Sequence, residues 1–89
     1  MNSDDQADVL QDDIAVSVAR VVATANRRAY ELGVDVLHSI ISITQHPANG
    51  GLLWRVNYGP RDYIGRRGGD LIIEVDPSDA SIKQVRWGQ

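Results

Sequence analysis

The apolar residues of this 89-residue chain change their spacing at Gly33, and this change constrains the fold more than any other feature. Before Gly33 they recur every three or four residues, which is the period of an amphipathic helix. After Gly33 the period falls to about two, as in a β-strand. A chain of this length forms one domain and is too short for two. The sequence therefore predicts a single α+β domain in which one long N-terminal helix precedes the strands.

The segment 9–32 is predicted to form the helix. Its apolar stripe comprises Leu10, Ile14, Val18, Val21, Ala25 and Leu32. Ser3, Asp8 or Asp12 can cap the N-terminal end, and Gly33 can adopt the left-handed conformation that ends a helix. Because valines are frequent in this segment and favour helices weakly, we expect the helix to depend on packing against a sheet.

Four strands are predicted after the helix, in the ranges 34–46, 52–58, 70–76 and 82–87. The adjacent residues Ile40 and Ile41 predict either a bulge in the first strand or a strand buried on both faces. His46 is assigned to the first turn, because it stands directly before a segment rich in proline and glycine. Consecutive strands with short connections pair antiparallel. The predicted architecture is a curved four-stranded β-meander with the helix packed on it.

One helix covers one face of such a sheet, so the second face needs a separate explanation. Leu53 and Ile72 are out of phase with the apolar residues predicted to face the helix, which makes the second face partly apolar. Faces of this kind are often covered by another chain. We therefore expect a homodimer or another protein partner.

Composition excludes several kinds of protein. The chain has no cysteine, so disulfides, thiolate zinc sites and cysteine nucleophiles are ruled out. No segment approaches the roughly 18 apolar residues that a membrane-spanning helix needs. The N-terminus lacks the basic start and apolar run of a signal peptide, which predicts a cytoplasmic protein if Met1 is the natural start.

Charge is distributed unevenly along the chain. The net charge is −3, and the first 13 residues carry five aspartates and no base, which leaves a net charge of +2 on the rest. We predict that residues 1–8 form an acidic, flexible N-terminal segment and that residues 9–89 form the domain.

No group of residues points to catalysis, a metal or a cofactor. His38 and His46 are eight residues apart, so on one continuous strand they would lie about 26 Å from each other, at about 3.3 Å per residue. No serine lies in a nucleophile elbow. Glu74 and Asp76 share a predicted face, but alternating carboxylates are ordinary on a solvated sheet. We expect no enzymatic activity.

The segment 59–69 is rich in glycine and arginine, and its guanidinium groups and backbone amides can bind phosphate or carboxylate. Tryptophan, tyrosine and arginine dominate interface energetics. The candidate binding residues are therefore Trp54, Tyr58, Arg61, Tyr63, Arg66 and Arg67. The pI near 5.1 argues against a nucleic-acid partner. The favoured hypothesis is a protein-interaction module, and the alternative is a small-molecule or nucleic-acid binder that uses the sheet face and this loop.

The chain from about residue 14 onward resembles small cystatin-like domains, among them PepSY-like domains and the nuclear-transport-factor-like immunity proteins of bacterial toxin systems. The resemblance is carried by Trp-Arg-Val at 54–56, Gly-Gly at 68–69, the strand 70–76 and the last strand, 82–89. It implies a helix on a curved meander and an inhibitor- or immunity-like role. The chain departs from the family in its turn at 76–81, which lacks the usual glycine, and in the expectation that it has no leader, whereas PepSY domains are commonly exported.

Overall fold

The computed structural model describes residues 12–48, 50–60 and 69–88. Within these residues, one α-helix packs on a four-stranded antiparallel sheet, which confirms the predicted α+β fold with a helix on a meander. The elements are helix α1 (Asp13–Glu31), a 3₁₀ turn (Val36–His38), and strands β1 (Ser39–Ala48), β2 (Gly51–Pro60), β3 (Asp70–Asp76) and β4 (Ser81–Gly88). The strands lie in the order β1-β2-β3-β4. The predicted acidic segment 1–8 lies outside the described residues.

Both ends of α1 are closed by local hydrogen bonds. Asp12, one of the three predicted caps, accepts a hydrogen bond from the backbone N–H of Ala15 at 2.9 Å. At the other end Gly33 has a φ of +87°, a conformation that costs glycine little. The N–H of Val34 then donates to the carbonyl of Ala29 at 2.9 Å, which satisfies a terminal helix carbonyl.

The core lies between α1 and the central strands. The helix contributes Val21, Ala25 and Ala29, all fully buried. The sheet contributes Val56, Tyr58, Leu71, Ile73 and Val75. Small alanine side chains let the helix backbone lie close to the sheet. Ile14, a member of the predicted stripe, is 70% exposed, so its assignment to the core was wrong. It lies in the first turn of α1, beside an open depression next to Trp54, where the sheet does not cover it.

The first strand differs from its prediction in two ways. It begins at Ser39, because the residues after the helix cap form the 3₁₀ turn that contains His38. The predicted bulge at Ile40 and Ile41 is absent, since β1 pairs with β2 in one continuous register over its full length. Ile40 and Ile41 lie on opposite sides of an edge strand and are 49% and 37% exposed, so the alternative prediction of a strand buried on both faces is also wrong. The register shift in this sheet lies between Glu74 and Val75 of β3, opposite β4.

Side chains on a strand alternate between the two faces of a sheet, so each strand contributes to both. We call the face under α1 the helix side and the other face the open side. Leu53 and Ile72 lie on the open side and are half-buried, as the sequence predicted. Among the described residues, no helix or second sheet covers the open side.

Candidate binding surface on the open side

Glu74 lies near the centre of the open side. It is directly paired with Arg55 on β2 and with Gln84 on β4. Only 6% of Glu74 is exposed, although no described backbone layer lies above it. Arg55 covers it, because its Nε and Nη2 atoms donate hydrogen bonds to Oε2 of Glu74 at 3.0 and 2.9 Å. The carboxylate is thus shielded from water by a guanidinium group.

Two further basic side chains face the same carboxylate oxygen. Nε2 of His46 lies 3.1 Å from Oε2 of Glu74, but this atom makes no hydrogen bond of acceptable geometry. Nη1 of Arg86 lies 3.7 Å from the same oxygen and donates to Oε1 of Gln84 at 3.2 Å. We call Glu74, Arg55, Arg86 and His46 the Glu74 cluster. It places two guanidinium groups around one carboxylate and therefore has an excess of positive charge.

The two arginines of the cluster are both ordered and accessible. The side chains of Arg55 and Arg86 are 36% and 39% exposed, whereas that of Glu74 is 7% exposed. Arg55 is held by its two hydrogen bonds to the carboxylate, and Arg86 by one hydrogen bond to Gln84. Such an arrangement is chemically suited to an anionic group, since arginine pairs readily with carboxylate and phosphate.

The pKa of Glu74 is shaped by two opposing effects. Burial raises it, but the hydrogen bond from Arg55 and the positive charges of Arg55, His46 and Arg86 together lower it more. The net result is a pKa below the ordinary value of a glutamate. Glu74 is therefore ionised at neutral pH and is unsuited to donate a proton in acid catalysis.

The lowered pKa of Glu74 predicts that the protein loses stability in acid. A carboxyl group with a depressed folded pKa stabilises the fold fully above its unfolded pKa, about 4.3 for glutamate. That contribution is lost as the pH falls from there through the folded value. Asp76 and Asp79 act in the same direction, because hydrogen bonds from Ser78 and Ser81 lower the pKa of each.

The measurement is the urea unfolding free energy of the wild-type protein and of Glu74→Gln over a pH series from neutral to acid. We expect a shallower loss for Glu74→Gln below about pH 4.3, since the variant retains only the contributions of the aspartates. Parallel curves for the two proteins would show that Glu74 makes no such contribution.

The structure places two of the six candidate binding residues, and both face the helix side. Trp54 is half-buried and packs against the core. Tyr58 is 3% exposed, and its hydroxyl donates a hydrogen bond to Oδ1 of Asn26 on α1 at 2.6 Å. Burial raises the pKa of Tyr58, so the phenol stays protonated. The other four candidates lie outside the described residues: Arg61, Tyr63, Arg66 and Arg67.

The Tyr58–Asn26 hydrogen bond joins the helix to the sheet, and its removal is expected to be measurable. Tyr58→Phe should lower the free energy of unfolding by about 1 kcal/mol, because a buried donor is lost and its acceptor is left unpaired. Tyr30→Phe is the matched control, since Tyr30 is 56% exposed and its replacement is expected to cost less than about 0.5 kcal/mol. Urea denaturation compares the two, and equal effects would mean that this hydrogen bond does not stabilise the fold.

Several residues of this surface were not identified from the sequence. His46 was assigned to a turn, but it lies in β1 and pairs with Leu53. Arg86 belongs to the last strand and was not among the candidate binding residues. Trp87 lies on the helix side, opposite Leu71, where it is 58% exposed and presents more aromatic surface than the half-buried Trp54. The signal that marks the cluster is the pairing of Arg55 with Glu74, which depends on the register between β2 and β3.

The described ranges 12–48, 50–60 and 69–88 contain no group of three or more His, Cys, Asp or Glu side chains able to hold a metal ion. His38 is not part of the Glu74 cluster. Its Nδ1 lies 2.8 Å from Oδ2 of the exposed Asp35. In the same ranges, no helix has the length and apolar character needed to cross a membrane.

Comparison with known proteins adds no relative to this description. No family model, curated protein or solved structure matches the chain. The resemblance to cystatin-like and PepSY-like domains therefore stays a prediction.

Proposed function

We propose that this protein is a non-enzymatic binding module that recognises an acidic surface of another protein through the open side of its sheet. One observation carries the proposal. The Glu74 cluster holds two partly exposed arginines in fixed positions at the middle of a sheet face that no described element covers. An inhibitor- or immunity-like role, implied by the resemblance, is a specific form of this function.

Fixed arginines favour binding for a physical reason. A free arginine side chain loses conformational entropy when a partner immobilises it, and interfaces pay about 0.5–1.5 kcal/mol for each such side chain. Arg55 has already lost that freedom through its two hydrogen bonds to Glu74. The excess positive charge of the cluster selects a partner that presents carboxylates.

Apolar side chains surround the cluster and complete the surface. Ile40 on β1 is 49% exposed, and the half-buried Leu53 and Ile72 lie on the same side. Protein interfaces combine apolar contact area with a few well-placed arginines. The open side has both components.

Affinity capture from cells of the source organism tests the proposal with three baits: the wild-type protein, Arg86→Gln and Arg20→Gln. Arg86→Gln removes the charge of the less tightly held arginine. Arg20→Gln is the matched control, because Arg20 is exposed on α1, on the other side of the sheet. We expect a captured acidic protein whose affinity falls about tenfold or more with Arg86→Gln and stays unchanged with Arg20→Gln.

Capture that is unaffected by Arg86→Gln, or lost equally with both variants, would contradict the proposal. The alternative, a nucleic-acid binder, is tested with the same proteins and single-stranded DNA. Affinity for DNA that decreases steeply with salt and depends on Arg86 would favour it.

A further inference from the structure

Among the described residues β1 is an edge strand, and its segment 39–45 lacks the features by which proteins usually protect a sheet edge, whereas Pro47 lies near the end of the strand. The strand is ten residues long and pairs on one side with β2 in a continuous register. Residues 39–45 contain no charged side chain and no proline. The other edge, β4, carries Lys83 and Arg86 and lies opposite the register shift of β3. Charges, prolines and irregularities discourage pairing with another chain, so of the two edges β1 is the one open to pairing.

No element within residues 12–48, 50–60 and 69–88 covers the helix side of β1. Ile41 and Ile43 are each 37% exposed, whereas their direct partners on β2, Tyr58 and Val56, are 3% and 0% exposed. The apolar core thus reaches the edge of the sheet and stops there without a cover. The described part of α1 packs against β2, β3 and β4.

We propose that β1 pairs antiparallel with β1 of a second copy, around a two-fold axis that passes through Ser42, to form one continuous eight-stranded sheet. The β1 edge is a different surface from the open side of the sheet. A second copy fits this edge, because the strand is self-complementary in this register and extends the apolar core of each copy into the other.

The faces of the sheet restrict the register. Residues directly opposite each other in a continuous sheet lie on the same face, so a two-fold axis must pass through a residue position and cannot fall between two. With the axis at Ser42, Ile41 of one copy lies opposite Ile43 of the other. The apolar row then runs without interruption from Tyr58 and Ile41 of one copy to Ile43 and Val56 of the second.

Neighbouring registers match the side chains less well. An axis at Ile43 would place Ile41 opposite the polar Gln45, and an axis at Ile41 would place Ile43 opposite Ser39. The axis at Ser42 pairs the four helix-side isoleucines with one another, namely Ile41 and Ile43 of each copy. Because it is perpendicular to the sheet, both helices lie on one face of the dimer and both Glu74 clusters on the other.

Cysteine cross-linking tests the register, and the cysteine-free chain makes the experiment clean. In Ser42→Cys the two introduced thiols lie opposite each other at the axis, and we expect a disulfide-linked dimer on mild oxidation. In Thr44→Cys the two positions are four residues apart along the strands, about 13 Å, which is too far for a disulfide. Lys83→Cys, on the exposed β4 edge, is the control for random collisions.

Light scattering of the unmodified protein tests the association itself. A single shared strand gives a small interface, so we expect a reversible dimer whose fraction rises with concentration over roughly 10 μM to 1 mM. Ile43→Lys should weaken association about tenfold or more, because it places a charge in the apolar row, opposite Ile41 of the other copy. Leu37→Lys is the control, since Leu37 is 76% exposed and outside β1, and it should still dimerise.

A monomer throughout this range, a dimer that persists in Ile43→Lys, or equal cross-linking of Ser42→Cys and Lys83→Cys would each overturn the inference. Circular dichroism verifies that each variant is folded. A monomeric protein that still captures its partner in an Arg86-dependent manner would refute the dimer and leave the proposed function standing.

Discussion

Replacing Leu71 with alanine is expected to lower the free energy of unfolding by about 3 kcal/mol, within the 2–5 kcal/mol typical of buried leucines. Leu71 is fully buried near the start of β3, where Tyr58 and Trp87 are its neighbours on the adjacent strands. Truncation removes apolar contacts and leaves a cavity that the surrounding sheet fills incompletely. Small domains are stable by roughly 5–15 kcal/mol, so the loss is a large share of the total.

Leu37→Ala provides the matched control for this substitution. Leu37 lies in the 3₁₀ turn and is 76% exposed, so the same chemical change should cost less than about 0.5 kcal/mol. Urea denaturation of both variants, with unchanged dependence on denaturant, gives the comparison. Similar losses for the two leucines would contradict the placement of the core between α1 and β3.

The second large effect concerns the Glu74 cluster. Glu74→Gln is expected to destabilise the protein by about 2 kcal/mol at neutral pH, because hydrogen bonds to charged groups contribute about 1.5–3 kcal/mol. The estimate stays in the lower half of that range because Arg55 is 36% exposed and solvent screens part of the interaction. A double-mutant cycle with Arg55→Gln should give a coupling energy of about 1–2 kcal/mol.

The same chain offers a second carboxylate–arginine pair as a control. Glu31 and Arg28 lie 3.1 Å apart on α1, but their side chains are 54% and 43% exposed. Glu31→Gln should therefore change stability by less than about 0.5 kcal/mol. If Glu74→Gln costs no more than Glu31→Gln, the cluster is an ordinary surface ion pair and the arginines are not held in place.

Much of the architecture could be predicted from the sequence, because local signals determine it. The change of period at Gly33 and the left-handed conformation of that glycine separate helix from strands. The third strand was predicted at 70–76, the bounds it has in the structure. Pro77 follows it and cannot extend a ladder, so the turn at 77–80 was also predictable.

The candidate surface was harder to predict, because it depends on which residues face each other across strands. Arg55 and Glu74 meet through the β2–β3 register, and the long connection between these strands leaves that register open in the sequence. Tyr58 was interpreted as an interface residue because it precedes an arginine-rich segment. Tyr58 is also two residues from Val56, which puts both side chains on one face of the strand. In the structure both belong to the core, where packing under the helix determines the position of Tyr58.

Nuclear magnetic resonance of the isotope-labelled protein, titrated with the captured partner, tests most directly whether the open side is the binding surface. We expect chemical-shift changes concentrated on open-side residues, namely Thr44, Arg55, Glu74 and Arg86, with little change at Arg20 and Arg27 on the exposed surface of α1. Arg86→Gln should abolish most of these changes at the same partner concentration. Changes confined to α1, or the same changes in the variant, would show that the protein binds through a different surface.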